Sequence, residues 1–121
     1  MVNSAREMEA SGLVDIQSHT HGHTLMHELS EMEVAYEVQK SFGDIEKYLG
    51  RRDVKVLAYP QFLHTSKVKK WATQYGIDLQ VTNLASRYRP VATQTLDIKR
   101  IHVSNEVSPQ DLLNQIKRLT Q

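Results

Sequence analysis

The segment from Ser30 to Gly50 constrains the fold most. Ser30 and Glu33 stand in the S-x-x-E order of a capping box, in which each side chain satisfies the other residue's backbone N–H at a helix start. Behind them Val34, Val38, Phe42, Ile45 and Leu49 recur at intervals of four, four, three and four residues. That spacing lays one apolar stripe along a helix, and Gly50 stands where a helix-ending glycine belongs. A helix with one apolar face must bury it on another element. The flanking segments offer that element: Leu13-Val14-Asp15-Ile16-Gln17-Ser18 before it and Val54-Lys55-Val56-Leu57-Ala58-Tyr59 after it read as strands. Pro60 stops the second, because proline has no N–H to give a ladder.

The alternation runs through the rest of the chain. Ser4 and Glu7 form another S-x-x-E pair, opening a short helix that Gly12 can end. A third helix is expected from Thr65 or Ser66, carrying Val68, Trp71, Ala72 and Tyr75 and ending at Gly76. Ile77 to Thr82 is strand-like, residues 83–97 read as a long loop, and Ile98 to Val103 reads as a last strand. Ser108-Pro109-Gln110-Asp111 combines a cap, a first-turn proline and an acidic third position, and Leu112, Leu113, Ile116 and Leu119 form the expected buried face behind it. Strands alternating with helices predict an α/β fold with mostly parallel strands and flanking helices. Sites on such sheets lie at the C-terminal ends of strands. With 121 residues and no repeat or linker, the chain is expected to be a single domain over 1–121.

Composition narrows the partners. A net charge of +1 offers no general attraction for nucleic acid or an anionic membrane. No apolar run approaches the ~20 residues of a membrane span. The start, Met1 to Glu7, is polar and lacks the apolar region of a signal peptide. There is no cysteine, so disulfides and thiolate metal sites are excluded.

The unusual feature is histidine: six in the chain, four of them between positions 19 and 27. Neutral imidazole carries a free lone pair and is the most versatile metal ligand near neutral pH. His19 and His23 have H-x-x-x-H spacing, directly after a strand-like run, and Gly22 between them argues for a loop. Thr20 can hydrogen-bond within that turn and fix it. His21 stands either behind a ligand or toward solvent, and His27 lies too near the next helix to be a preferred ligand. By spacing alone, a metal pair and a plain polar loop stand level. Two histidines are also too few for a tight zinc site, which takes three or four protein ligands, so a third must come from elsewhere.

The run Arg6 to His23, with Ser11-Gly12-Leu13 and Ser18-His19-Thr20-His21-Gly22-His23 at its core, resembles a segment of the polysaccharide deacetylase family, the NodB-homology or carbohydrate esterase 4 group. The likeness continues through Leu29-Ser30-Glu31 and the long helix to Leu57-Ala58-Tyr59-Pro60, where the family has Y-P-Y-G, and to Ile98–Val103. The resemblance implies a partial (β/α) barrel of the deacetylase type. It implies metal-dependent hydrolysis of N-acetyl or O-acetyl groups on an acetylated polysaccharide or oligosaccharide. His19 and His23 then hold a divalent metal, zinc first, with cobalt, nickel or iron also suited. Thr20 fixes the turn, Tyr59 and Pro60 line the substrate groove, the backbone N–H of Gln61 helps hold the oxyanion, and His102 is the candidate general acid. An extracellular or cell-envelope location also follows from the family.

The sequence departs from the family in three places. The T-F-D-D-G motif, which supplies the base and the third ligand, is absent, and no Asp-Asp pair occurs. The Y-P-Y-G corner reads Tyr59-Pro60-Gln61-Phe62. The late L-x-H motif is not cleanly present. Read without the family, His102 is a partly buried strand residue, His64 a loop histidine, Trp71 and Tyr75 core residues, and Arg87, Tyr88 and Arg89 a solvated loop. A part-barrel leaves open sheet edges, which favour self-association or pairing with a missing N-terminal half. The chain is thus expected either to belong to an enzyme, weakly active or inactive alone, or to be a non-catalytic metal- or partner-binding module of the same fold.

Overall fold

The computed structural model describes residues 2–82 and 101–120. Its elements are α1 (Val2–Ala10), α2 (Glu31–Leu49), β1 (Val56–Ala58), α3 (Ser66–Gln74), β2 (Leu79–Val81) and α4 (Pro109–Thr120), with single 3-10 turns at Met26–Glu28 and Pro60–Phe62. No helix among the described residues is long and apolar enough to cross a membrane.

β1 and β2 pair in parallel, Val56 with Leu79, Leu57 with Gln80 and Ala58 with Val81, and α3 makes the crossover between them. Alternation then sorts the side chains. Leu57 and Gln80 are buried, while Val56, Ala58, Leu79 and Val81 are only partly covered. Leu57 joins Met26, Val34, Val38, Phe42, Tyr59, Val68, Ala72 and Ile77 in one core, with Leu29, Ile45, Trp71 and Tyr75 packed against it. The helix stripe and the strand run therefore find each other as the patterning requires.

α2 starts with both arms of the capping box made: Ser30 accepts from the Glu33 N–H, and Glu33 accepts from the Ser30 N–H at 2.8 Å. The Gly50 N–H donates to the Glu46 carbonyl, and its φ of 91° is one that glycine adopts without steric penalty. Thr65 caps α3 by accepting from the Val68 N–H. α2 and α3 are tied by the Tyr75 hydroxyl, which donates to Glu31 Oε1 at 3.0 Å. α1 is tied on by charge: the Arg52 guanidinium donates to both Glu9 oxygens and to the Leu49 carbonyl. Glu9 also accepts from the Ile16 N–H at 3.0 Å. The Arg52 hydrogen bond, and then that amide, hold the Glu9 carboxyl below the usual range.

Four expectations change. α1 begins at Val2, so Ser4 lies inside the helix rather than capping it. The expected strand at 13–18 is reduced to one parallel bridge, Ser18 with Leu57. Its neighbour Gln17 pairs by side chain instead: the carboxamide oxygen accepts from the Val56 N–H at 3.0 Å and the nitrogen donates to the Val54 carbonyl at 3.0 Å. A side chain that satisfies β1 removes the need for a second strand there. Of the expected strand 98–103, residues 98–100 lie outside the described residues, and 101–103 form no ladder with the described residues. α4 is capped as expected, with Ser108 and Asp111 bonded reciprocally. Its apolar face is not buried, however: Leu113 and Ile116 are exposed, and Leu112 and Leu119 are half-covered. The expected loop at 83–97 lies outside the described residues.

Candidate functional site

The candidate site forms where the chain leaves the Ser18 bridge. The Ser18 N–H donates to the Val56 carbonyl at 3.1 Å, and the Ala58 N–H donates to the Ser18 carbonyl at 2.9 Å. This places His19 beside the C-terminal end of β1. The Ser18 hydroxyl is buried and continues the anchoring. It accepts from the Thr20 N–H at 3.1 Å and lies 2.7 Å from the Ser41 hydroxyl. Ser41 itself donates to the Val38 carbonyl at 3.0 Å. With that proton committed, the Ser18 hydroxyl must be the donor to Ser41. A chain of hydrogen bonds thus runs from the turn into α2.

His19 Nδ1 lies 2.8 Å from the Ala58 carbonyl oxygen. A carbonyl can only accept, so Nδ1 carries a proton, and in the neutral ring Nε2 holds the lone pair. Metal-ligating histidines usually donate their second nitrogen in this way, which fixes both tautomer and ring plane. The His23 ring lies 4.9 Å from that of His19, centroid to centroid, at an interplanar angle of 69°. Both rings are exposed. Among the described residues no group of three histidine, cysteine or acidic side chains is assembled to hold a metal. The donor set therefore fits two ligands of a divalent cation and leaves the remaining positions to groups beyond it.

Thr20 Oγ1 accepts from the Thr24 N–H at 3.3 Å, closing the loop over four residues. His21 turns to α2 instead, with Nδ1 3.6 Å from Asp44 and its ring edge-on to Tyr36. His27 lies against Glu28, with Nδ1 buried and without a hydrogen-bond partner among the described residues. Among the described residues, three non-glycine residues take left-handed backbone: Thr20 (φ 70°), His23 (φ 55°) and Gln61 (φ 49°). All three belong to the candidate site. Such conformations cost about 1–3 kcal/mol each and persist only where the surroundings impose them.

The second wall follows β1. Tyr59 is fully buried, and its hydroxyl donates to Gln80 Oε1. Burial pushes the phenol pKa well up, so it remains a donor. Pro60 is also buried and starts the turn that presents Gln61. The His64 ring lies 5.5 Å from that of Tyr59, centroid to centroid. A groove of about 670 Å³ is lined by Gln17, Ser18, His19, Val56, Ala58, Gln61, Ile101, His102 and Val103. It joins His19, Gln61 and His102; His23, Tyr59 and Pro60 are not part of its lining, the last two because they are buried. His102 is exposed and lies on no strand. Trp71 and Tyr75 pack on the core. Arg87, Tyr88 and Arg89 lie outside the described residues.

Besides Ser41, a second polar residue of α2 that belongs to no motif reaches the loop. Glu37 of α2 is buried, and its carboxylate accepts from the His21 and Gly22 N–H groups and the Thr24 hydroxyl. A polar residue inside the apolar stripe of α2 was the available signal, since buried polar groups need partners.

Residues 2–80 match the family model for polysaccharide deacetylases. No match was found among curated proteins. Among solved structures, the chain is similar to the deacetylase PplD of Streptococcus pyogenes, solved in complex with acetate, at 24% identity and a TM-score of 0.78. It is also similar to a polysaccharide deacetylase from Bacillus cereus, at 20% identity and a TM-score of 0.81. A third is a de-N-acetylase from Aggregatibacter actinomycetemcomitans, at 17% and 0.76. Each covers 95% of this chain, which in turn covers 50%, 36% and 52% of theirs. The chain thus spans about half the length of these structures or less. At such identities the likeness concerns the fold: an α/β fold with parallel strands, of which this chain holds a part.

Proposed function

This chain belongs to the polysaccharide deacetylase family, and we propose on that premise that it supplies one side of a metal-dependent carbohydrate deacetylase site. The observation that carries the reading is the His19 ring, whose Nδ1 is committed to the Ala58 carbonyl and whose Nε2 is left with a lone pair beside His23. His19 and His23 would hold a divalent cation, zinc first, with cobalt, nickel or iron also suited to imidazole and carboxylate ligands. A carboxylate from outside the described residues would complete the set. When bound, such a cation lowers the pKa of a coordinated water and polarises an acetyl carbonyl.

The remaining roles belong to the groove and to the buried corner behind it. Gln61, at the left-handed corner after Pro60, would offer its backbone N–H to the developing oxyanion. His102 would deliver the proton to the departing sugar amine or hydroxyl. Tyr59, held by Gln80, and Pro60 are buried and would shape from behind the corner that presents Gln61, without touching the sugar. The substrate class is an acetylated polysaccharide or oligosaccharide, met outside the cell or in its envelope. A second protein segment, from another copy or from a companion half of the fold, would complete the barrel.

Cobalt(II) titration followed by visible absorption tests the metal reading. The chain should bind weakly, and His19→Ala and His23→Ala should each abolish the spectrum. Unchanged binding in both variants overturns it. Acetate release from chitooligosaccharides separates an enzyme from a binding module. Negligible release from this chain alone, restored by the companion segment, is expected of an incomplete enzyme. No release even with the barrel completed would identify a module.

A further inference from the structure

The histidine loop is held by a side chain that belongs to no ligand motif. Glu37 lies on the buried face of α2 and is 8% exposed. Its Oε2 accepts from two consecutive backbone N–H groups, those of His21 and Gly22, each at 2.9 Å. Its Oε1 accepts from the Thr24 hydroxyl at 3.1 Å. The two amides lie between His19 and His23, and Thr24 directly follows His23. The carboxylate thus grips the loop on both sides of the second histidine.

The loop needs such a grip. Thr20 and His23 have φ of 70° and 55°, and a β-branched residue in that region is a genuine outlier. Both conformations must be imposed from outside. Without an acceptor in the core, the His21 and Gly22 amides would turn to water and the two strained residues would relax. Relaxation would change the separation of the two rings. Gly22 is matched to the device: a Cβ there would lie 3.1 Å from Thr24 Oγ1 and 3.5 Å from Glu37 Oε1. Ser41, one helical turn beyond Glu37, holds Ser18 and through it Thr20. The two buried polar residues of α2 therefore anchor successive parts of one loop.

We propose that Glu37 is a positioning residue that sets the separation of His19 and His23, and so strengthens cation binding without coordinating the cation. The inference rests on the metal reading of the histidine pair given above. Its oxygens are already turned to three donors on the loop, so its contribution is geometric: the loop's ordering is complete before a cation arrives.

The test compares the 121-residue chain with Glu37→Gln and Glu37→Leu. Cobalt(II) affinity is measured by calorimetry and visible absorption, amide exchange at His21 and Gly22 by NMR, and folding by thermal melts. Glu37→Leu should weaken cobalt binding ~10–100-fold, the range for residues that orient metal ligands. The two amides should exchange markedly faster. Glu37→Gln should stay within about fivefold of the parent, because a carboxamide oxygen can accept from both amides while its nitrogen donates to Thr24 Oγ1. A purely structural role would lower the melting temperature of Glu37→Leu yet leave cobalt affinity unchanged where both proteins are folded, and that result overturns the proposal. Equal damage from Gln and Leu also overturns it, by assigning the effect to charge. If the parent chain takes no cobalt, the metal reading fails and with it the claim on affinity. The exchange rates then still judge the loop: slow in the parent and fast in Glu37→Leu supports Glu37 as its holder, and equal rates refute that too.

Discussion

Replacing Gln80 by leucine should destabilise the fold by an amount that can be worked out from its partners. Gln80 is fully buried, with Oε1 accepting from the Tyr59 hydroxyl and Nε2 donating to the Lys69 carbonyl at 2.8 Å and to Thr73 Oγ1 at 3.0 Å. In Gln80→Leu the last two groups keep other options: the Lys69 carbonyl still accepts from Thr73 Oγ1, and Thr73 is exposed. The Tyr59 hydroxyl has none, because the whole side chain lies in the core. An orphaned buried hydroxyl costs about 1–3 kcal/mol. Leucine branches where glutamine runs straight, and such a shape change adds about 1 kcal/mol. The expected loss is therefore about 2–4 kcal/mol, against a total of about 5–15 kcal/mol for an ordinary domain. Adding Tyr59→Phe removes the orphan, so the double variant should be at least as stable as Gln80→Leu, with a coupling of about 1–2 kcal/mol. Trp71, the single tryptophan, packs against the same core and reports unfolding by fluorescence in urea. A Gln80→Leu loss below about 0.5 kcal/mol, or coupling below that value, would refute the reasoning.

Three further perturbations test other parts of the description. Gly22→Ala should lower stability by about 1 kcal/mol, because the added Cβ sits 3.1 Å from Thr24 Oγ1 and displaces it from Glu37; chemical denaturation reads this directly. At Gln61, with φ of 49°, valine should cost about 1–2 kcal/mol while glycine stays within about 1 kcal/mol of the parent; equal effects would remove backbone strain from the account. Glu9 has a carboxyl pKa lowered from its ordinary 4.5, chiefly by Arg52. A depressed pKa stabilises the fold above the unfolded value and loses that contribution as pH falls through the folded one. Glu9→Gln should therefore be less stable at neutral pH and flatten the acid side of a melting-temperature profile. Superimposable profiles would count against the pair.

The parts legible in the sequence are those whose signals are local. α2 carries its cap, its stripe and its terminal glycine within its own residues, and it formed over Glu31–Leu49 as that pattern predicts. The start of α4 was legible for the same reason. Its burial was not, because Leu113 and Ile116 can be buried only by something else, and period alone does not supply it. Ser4 and Glu7 show the converse: an i, i+3 pair suits a cap and a helix interior equally, and the helix began two residues earlier. The strand expected at 13–18 failed because Gln17 satisfies β1 with its side chain, a substitution that hydrophobic alternation cannot register. At the candidate site, ligand type and spacing singled out His19 and His23, but not what holds them. Glu37 and Ser41 lie on the same helix face as Val34 and Val38, so a count of apolar positions steps over them.

The Ala58 carbonyl has a consequence for the sheet itself. In a parallel ladder the next bond after Ala58 N–H to Ser18 would run from the Thr20 N–H back to the Ala58 oxygen. That oxygen is instead taken by the His19 ring, and the Thr20 amide turns to the Ser18 hydroxyl. The ring thus stands where the ladder would continue, and Thr20, with φ of 70°, has already left extended backbone. The single bridge is thus bounded by side chains on both sides, Gln17 before it and the His19 ring after it. Removing the imidazole would free one lone pair of the Ala58 oxygen, while Glu37 would still hold the His21 and Gly22 amides in the turn.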